Sequence, residues 1–157
     1  MVVMKVKRDT NGGLKYLRNA IEYLENDEKS LFTAGFGVNP NIIEDTFKHM
    51  VKVREYFSKV SGNPMIHFII SFDENVVTAN DAILLASQIS QFFDNDYQNL
   101  WCIHFKQHGC SNFHMHLVIN SVNYNHGKMY HSSYDEVQRF ADYVAMITNR
   151  KVRWLFE

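Results

Sequence analysis

The chain has 157 residues, of which 46% are hydrophobic and 14% aromatic, and this predicts one globular domain over residues 1–157. It has no apolar run of membrane-spanning length, no signal-peptide pattern, and only two cysteines, Cys102 and Cys110, which excludes a disulfide framework and favours the cytoplasm. The net charge of −1 excludes a general attraction to nucleic acid, so any such binding requires a local basic patch.

Strands and helices are expected to alternate along the chain without linkers or repeats. The first half is expected to form a strand over 1–7, a helix over 14–26, an extended stretch over 31–38, a helix up to about residue 59 and a strand over 65–72. Asn39 is the expected N-cap of the second helix and Pro40 its first residue.

The second half continues the alternation. It is expected to form a helix after Thr78 that buries Ala82, Leu85, Ile89 and Phe92, strands over 100–105 and 113–120, a short segment over 128–131, a helix over 134–148 and a strand over 152–156. Ser133 and Glu136 are typical of a capping box. The connection after residue 105 is too short for a helical crossover, so these two strands are antiparallel. The fold class is therefore α+β, a central, mostly antiparallel sheet with helices packed on it.

Three histidines are expected on one face of two neighbouring strands. In the segment 113–120 His114 and His116 alternate with apolar residues, and His104 alternates in the same way in the preceding strand. Neutral imidazoles that converge from rigid strands predict a metal site with open coordination positions. The alternative is that they only form hydrogen bonds on a half-solvated face.

Two tyrosines of the first helix lie off its apolar stripe. Leu14, Leu17, Ile21 and Leu24 belong to the stripe that we expect to be buried, whereas Tyr16 and Tyr23 align with each other roughly a third of a turn away. Such tyrosines serve as nucleophiles, as stacking platforms or as surface cover. A phenol attacks poorly until its target is polarised or its pKa falls, so a nearby metal would favour the first role.

Three segments occur in a recognisable order. They are 21–30 (IEYLENDEKS), 67–72 (HFIISF) and 114–120 (HMHLVIN), with His104 upstream of the last. This combination resembles the relaxase or mobilisation nuclease family, a branch of the HUH endonucleases that nick DNA for plasmid and conjugative transfer. The resemblance extends over nearly the whole chain and implies the same α+β fold.

The resemblance also implies an activity. It implies site- and strand-specific nicking of single-stranded DNA at an origin of transfer, with an accessory DNA-binding protein as a further partner. Tyr23 would be the nucleophile that forms a 5′-phosphotyrosine, and His104, His114 and His116 would hold a divalent metal ion. The resemblance implies that the functional ion is Mg or Mn. Three imidazole ligands, considered alone, favour binding of Zn, Ni, Co or Mn.

Other residues are candidates for supporting roles. His67 would orient the phosphate or accept a proton. The alternative is that it is a histidine of the sheet whose nitrogens only form hydrogen bonds. Tyr16, His108 and Asn120 are candidate accessory residues.

The chain departs from the family pattern after His104. Two positions after His104, where the family usually has an acidic residue, this chain has Lys106. Two positions before the histidine pair, where the family usually has a further histidine, it has Asn112. A longer connection contains the extra His108, so either His108 replaces a lost function or the site is altered. Lys106 predicts a weaker metal site unless it points outward to a DNA phosphate.

Basic residues near the expected nucleophile are the predicted DNA contacts. They are Lys5, Lys7, Arg8, Lys15, Arg18 and Lys106. Further basic groups lie at 48–54 and 150–153, and a few phosphate contacts predict salt-dependent binding of single-stranded DNA.

Two other hypotheses remain open. In the first, the chain is another HUH enzyme, such as a rolling-circle replication initiator or a transposase. In the second, it is a relative that binds single-stranded DNA and has weakened chemistry. Lys106 and Asn112 favour the last of these.

Overall fold

The computed structural model describes residues 1–8, 13–26, 28–104 and 112–157. Over these residues the elements are β1 (Val2–Lys7), α1 (Gly13–Leu24), β2 (Ser30–Phe36), α2 (Ile43–Tyr56), β3 (Met65–Ser71), α3 (Ala79–Asp94), β4 (Asn99–His104), β5 (His114–Asn120), α4 (Tyr134–Thr148) and β6 (Val152–Phe156). The strands form one sheet in the order β2-β4-β5-β3-β1-β6. All neighbours are antiparallel except β1 and β6, which confirms the predicted α+β class.

One face of the sheet is covered by α3 and α4, and it holds the larger core. Phe68 of β3 packs between helices, with ring centroids 5.6 Å from Phe93 and 4.8 Å from Phe140. All three rings are at most 1% exposed. Burying a side chain of this size stabilises the fold by about 1.5–3 kcal/mol, so this cluster anchors both helices to the sheet.

The opposite face is covered by α1 and α2 over its β4–β5 side. Leu17, Ile21 and Leu24 of α1 are fully buried there and share a cluster with Leu100 and Val118 of the sheet. The prediction was wrong for Leu14, which lies in the first turn of α1 and is 43% exposed. The same face continues across β3 and β1 to β6, where side chains such as Lys5 and Arg153 are exposed. The sheet therefore offers an open surface beside α1.

The predicted capping box of α4 and the predicted start of α3 after Thr78 are confirmed. The Ser133 hydroxyl accepts from the backbone N–H of Glu136, whose carboxylate accepts from the Ser133 backbone, so α4 begins with a complete capping box. The Thr78 hydroxyl accepts from the backbone N–H of Asp81 at the start of α3.

The predicted start of α2 is wrong. The helix begins at Ile43 with Ile42 as its N-cap. The Asn39 side chain instead accepts from the backbone N–H of Asn41, and this Asx-turn places Pro40 before the helix.

The predicted buried stripe of α3 is also partly wrong. Ala82 and Ile89 are buried as expected, but Phe92 is 37% exposed and the core positions are Ala86 and Phe93. Since α3 carries apolar residues on more than one helical face, its sequence admits several stripes of the same spacing. The predicted segment over 128–131 forms only an isolated bridge, between Val122 and Met129.

Candidate active site

The register of the central strands brings the three predicted histidines to one face of the sheet. His104 of β4 lies directly opposite His114 of β5, and Cys102 lies opposite His116. Residues directly opposite each other in a ladder share a face. His104, His114 and His116 therefore line the same face, the one covered in part by α1.

A fourth histidine joins this cluster from β3. The Nε2 atom of His67 lies 2.9 Å from the Nδ1 atom of His116, within hydrogen-bonding distance. Both side chains are buried, each with 6% exposure. The contact occupies one nitrogen of each ring and joins β3 to β5.

Tyr23 lies over the histidines at the carboxyl end of α1. Its ring centroid is 5.2 Å from those of His104 and His116 and 6.5 Å from that of His67. The buried residues Ile21 and Leu24 on either side fix the rotation of the helix, so that the phenol projects over the sheet with 36% exposure. Tyr23 is thus both in contact with the histidines and open to solvent.

The imidazoles are held in their neutral form. Burial lowers the pKa of His104 to about 4, with further lowering from His114 and from Lys29. Burial also lowers the pKa of His67, His114 and His116. Only a neutral imidazole can bind a metal ion, so these nitrogens are available at pH 7 without prior loss of a proton.

The phenol is neutral as well. Burial, followed by the neighbouring Cys102, raises the pKa of Tyr23 above its ordinary value. Attack by its oxygen therefore requires nearby positive charge to offset the cost of losing the proton.

The donor chemistry of the cluster fits a divalent ion that imidazoles bind. The Nε2 atom of His104 is buried and has no hydrogen-bond partner among the described residues, and an unsatisfied buried nitrogen of this kind is costly. Within the described ranges, however, no three His, Cys, Asp or Glu side chains are arranged to hold a metal ion. The rings pack against each other and against Tyr23, so coordination would require them to turn about their side-chain torsions.

A cavity of about 330 Å³ opens beside the phenol. Its walls include Lys7, Tyr16, Tyr23, His67 and His116. This volume is in the range of small-ligand sites and leaves room for a phosphate group next to the tyrosine oxygen.

The candidate accessory residues are placed differently from one another. Tyr16 lies on the wall of this cavity. Asn120 lies at the far end of β5, fully buried, and its side-chain amide donates to the Met50 carbonyl at 3.1 Å and to Gln98 at 2.9 Å. The structure therefore separates Asn120 from Tyr23, and its hydrogen bonds hold the base of the sheet.

The predicted DNA contacts fall into two groups. Lys5 and Lys7 lie on the open sheet face, opposite Ile69 and His67, and Lys7 lines the cavity. Lys15 is exposed on α1. Of the predicted contacts, Lys5 and Lys7 therefore lie on the sheet face that Tyr23 covers.

The two predicted arginines are engaged elsewhere. The guanidinium of Arg8 lies 4.0 Å from the ring centroid of Phe156 and donates to Ser132. Arg18 forms an ion pair of 2.6 Å with Glu44 and a second of 3.8 Å with Glu22. The structure does not bring either arginine to the histidine cluster.

Lys106 and His108 lie outside the described residues, as does Cys110. The predictions that concern them stay predictions. Cys102 is described and is a free, buried cysteine.

The sequence interpretation missed one residue of the cluster. The Nζ atom of Lys29 lies 5.2 Å from the centroid of the Tyr23 ring. The available signal was its place in the segment 21–30, six positions after the tyrosine.

Comparison with known proteins places the chain among relatives. Residues 16–151 match a family model described as "Relaxase: MobA/VirD2-like, nuclease domain". A solved structure, described as "Molecular Basis of Vancomycin Resistance Transfer in Staphylococcus aureus", is similar over 99% of this chain and 96% of that chain, with a TM-score of 0.61 and 14% sequence identity. At that identity the likeness shows a shared fold. No curated protein matches the chain, and no helix in the described part of it is long and apolar enough to cross a membrane.

Proposed function

This chain belongs to the family of MobA/VirD2-like relaxase nuclease domains, and we propose that it nicks one DNA strand at a specific site in the mobilisation of a plasmid or conjugative element. The observation that carries the proposal is the position of Tyr23. Its phenol lies over His104 and His116, with ring centroids 5.2 Å away, and borders a cavity wide enough for a phosphate.

Tyr23 is the proposed nucleophile. Its oxygen forms a bond to the phosphorus of one phosphodiester, and the bond from that phosphorus to the 3′ oxygen breaks. The phenol releases its proton to water at the open side of the cavity, and the departing 3′ oxygen takes up a proton. One phosphodiester replaces another, so the 5′-phosphotyrosine keeps the energy needed for rejoining and no external energy source is required.

His104, His114 and His116 are the proposed ligands of the divalent ion that this family uses. When bound, such an ion neutralises negative charge on the phosphate oxygens. The chain itself contributes neutral imidazoles and the contact between His67 and His116. If the Nδ1–H of His116 donates to His67, the Nε2 of His116 keeps its lone pair for a ligand, so His67 acts as a positioning residue.

Single-stranded DNA at an origin of transfer is the proposed substrate. The open sheet face carries Lys5 and Lys7 on β1 and Arg153 on the adjacent β6, all on the side of Tyr23. These cations supply the local positive charge that a chain of net charge −1 needs for binding a polyanion. An accessory DNA-binding protein remains a proposed partner.

A covalent adduct tests this function. The protein is incubated with MnCl₂ and a pool of randomised single-stranded oligonucleotides, denatured, and probed for DNA that stays attached. The proposal expects an adduct that forms with Mn²⁺ and is absent with a chelator, and sequencing of the attached DNA gives the target site. If the DNA binds and no adduct forms under any divalent ion, the chain is a binding relative and the proposal is wrong.

A further inference from the structure

The turn between α1 and β2 directs a lysine toward the nucleophile. The Asn26 carbonyl accepts from the backbone N–H of Lys29 at 3.1 Å and from that of Ser30 at 3.0 Å. The Asn26 side chain also accepts from the Glu28 backbone at 3.0 Å. These bonds fix the backbone before Lys29, and the pairing of Ser30 with His104 in the sheet fixes it after Lys29.

The ammonium group of Lys29 lies against the reactive ring. Its Nζ atom is 5.2 Å from the Tyr23 centroid, within the range of a cation–π contact. The same charge is near enough to His104 to help lower the pKa of that imidazole. Lys29 therefore borders the histidine cluster on the β2 side, whereas Lys7 borders the cavity on the β1 side.

Lys29 takes part in no ion pair among the described residues, unlike Arg18 and Arg150. The side chain is exposed, so it can turn toward a bound group. The imidazoles and the phenol around it are neutral, so Lys29 places a positive charge at the β2 side of the cluster, as Lys7 does at the β1 side.

We propose that Lys29 is a further catalytic residue, whose ammonium binds a non-bridging oxygen of the phosphate while Tyr23 attacks. This inference rests on the proposed function. As the Tyr23 oxygen approaches the phosphorus, negative charge grows on the phosphate oxygens, and a fixed cation beside the ring stabilises it. The reverse reaction passes through the same arrangement, so Lys29 serves rejoining as well.

The first test removes the positive charge of Lys29. Single-turnover rates of adduct formation are measured at saturating DNA, with the target sequence recovered from the randomised pool. Lys29→Gln is expected to slow the reaction by about 100- to 1,000-fold, the effect of losing one charge-stabilising group. Its Kd for DNA should change by less than about threefold, since the proposed contact strengthens mainly in the transition state.

Matched variants separate charge from packing. Lys29→Arg keeps the charge and is expected to retain most of the rate. Lys128→Gln removes an exposed lysine far from the cluster and is expected to leave the rate unchanged. A Lys29→Gln protein with the parent rate would overturn the proposal, as would one with weaker DNA binding and a normal rate at saturation.

A substrate with a methylphosphonate at the nicked position tests where the charge acts. This group lacks one anionic oxygen, so the difference between Lys29→Gln and the parent should largely disappear. A difference that persists in full would contradict binding of the phosphate by Lys29. If the parent forms no adduct with the natural phosphodiester, the proposed function itself fails, and that result is distinct from an active parent with an equally active Lys29→Gln.

Discussion

The Nε2 atom of His67 lies 2.9 Å from the Nδ1 atom of His116 beside the Tyr23 ring. This contact links two neighbouring strands through side chains that burial keeps neutral. A neutral pair can share only one proton in such a bond, so one ring must donate and the other accept. If His67 is the acceptor, the remaining nitrogen of His116 keeps a free lone pair that can bind a metal ion.

Removal of this acceptor should weaken metal binding. His67→Ala is expected to lower Mn²⁺ affinity by about 10- to 100-fold, because the His116 ring loses the bond that fixes its orientation and tautomer. Isothermal titration calorimetry measures the effect, with the melting temperature recorded to verify folding. His67→Gln, whose amide oxygen can accept the same bond, should recover part of the affinity, and His49→Ala, an exposed histidine of α2, should match the parent. Equal affinity in His67→Ala and the parent would exclude this positioning role.

Lys7 and Arg18 should differ in their contribution to DNA binding, although the sequence predicted both as contacts. Lys7→Gln is expected to weaken binding of single-stranded DNA and to reduce the slope of log K against log salt by about 0.7, as one lost phosphate contact does. Arg18→Gln should have a smaller effect, because its guanidinium is paired with Glu44 at 2.6 Å. Fluorescence anisotropy over a range of NaCl concentrations measures both slopes. A larger loss in Arg18→Gln would mean that the ion pair opens to bind DNA.

Asp73 should stabilise the fold above acidic pH. It follows β3, and its buried carboxylate accepts from Arg150 at 2.8 Å and from the Asn75 backbone at 3.0 Å. Burial alone would raise the pKa of Asp73, but these hydrogen bonds outweigh it and hold the pKa below its ordinary value. Asp73→Asn is therefore expected to lower the free energy of unfolding at pH 7 by about 2 kcal/mol, the usual contribution of hydrogen bonds to a charged group.

The direction of the pKa shift of Asp73 determines how its contribution to stability depends on pH. A lowered pKa in the folded state means that the stabilisation is complete above about pH 4, the ordinary aspartate pKa, and is lost as the pH falls through the folded value. Urea unfolding at pH 7 and at pH 3 should show the difference between Asp73→Asn and the parent shrinking at the lower pH. A difference that stays constant would mean that the charge of Asp73 does not contribute.

The sequence was sufficient for the faces of the central strands. In β5 a continuous apolar face fixes the register, because a slip of one residue would move the whole apolar set to the other side. His114 and His116 could therefore be placed on one face, and His104 with them. The position of Tyr23 outside the core could be predicted for a similar reason, since burial of the apolar residues of α1 leaves few orientations for the helix.

The sequence was not sufficient where contacts depend on the mutual position of separate elements. The hydrogen bond between His67 and His116 joins strands 49 positions apart in the chain, and periodicity carries no information about it. Lys29 reaches Tyr23 only through the turn that Asn26 closes. The choice between Phe92 and Phe93 for the core of α3 was likewise decided by packing against the sheet, where the ring centroid of Phe93 is 5.6 Å from that of Phe68.

Identification of the attached residue is the most direct measurement of the central claim. Trypsin cuts after Lys15, Arg18 and Lys29, so Tyr16 and Tyr23 fall in different peptides, and mass spectrometry of the digested adduct distinguishes them. We expect the nucleotide on the peptide 19–29. Tyr23→Phe should abolish the adduct while its Kd for DNA stays within about threefold of the parent, because only one partly exposed oxygen is lost. Tyr16→Phe should still form the adduct. Nucleotide on another peptide, or an adduct that persists in Tyr23→Phe, would contradict the assignment of Tyr23 as the nucleophile.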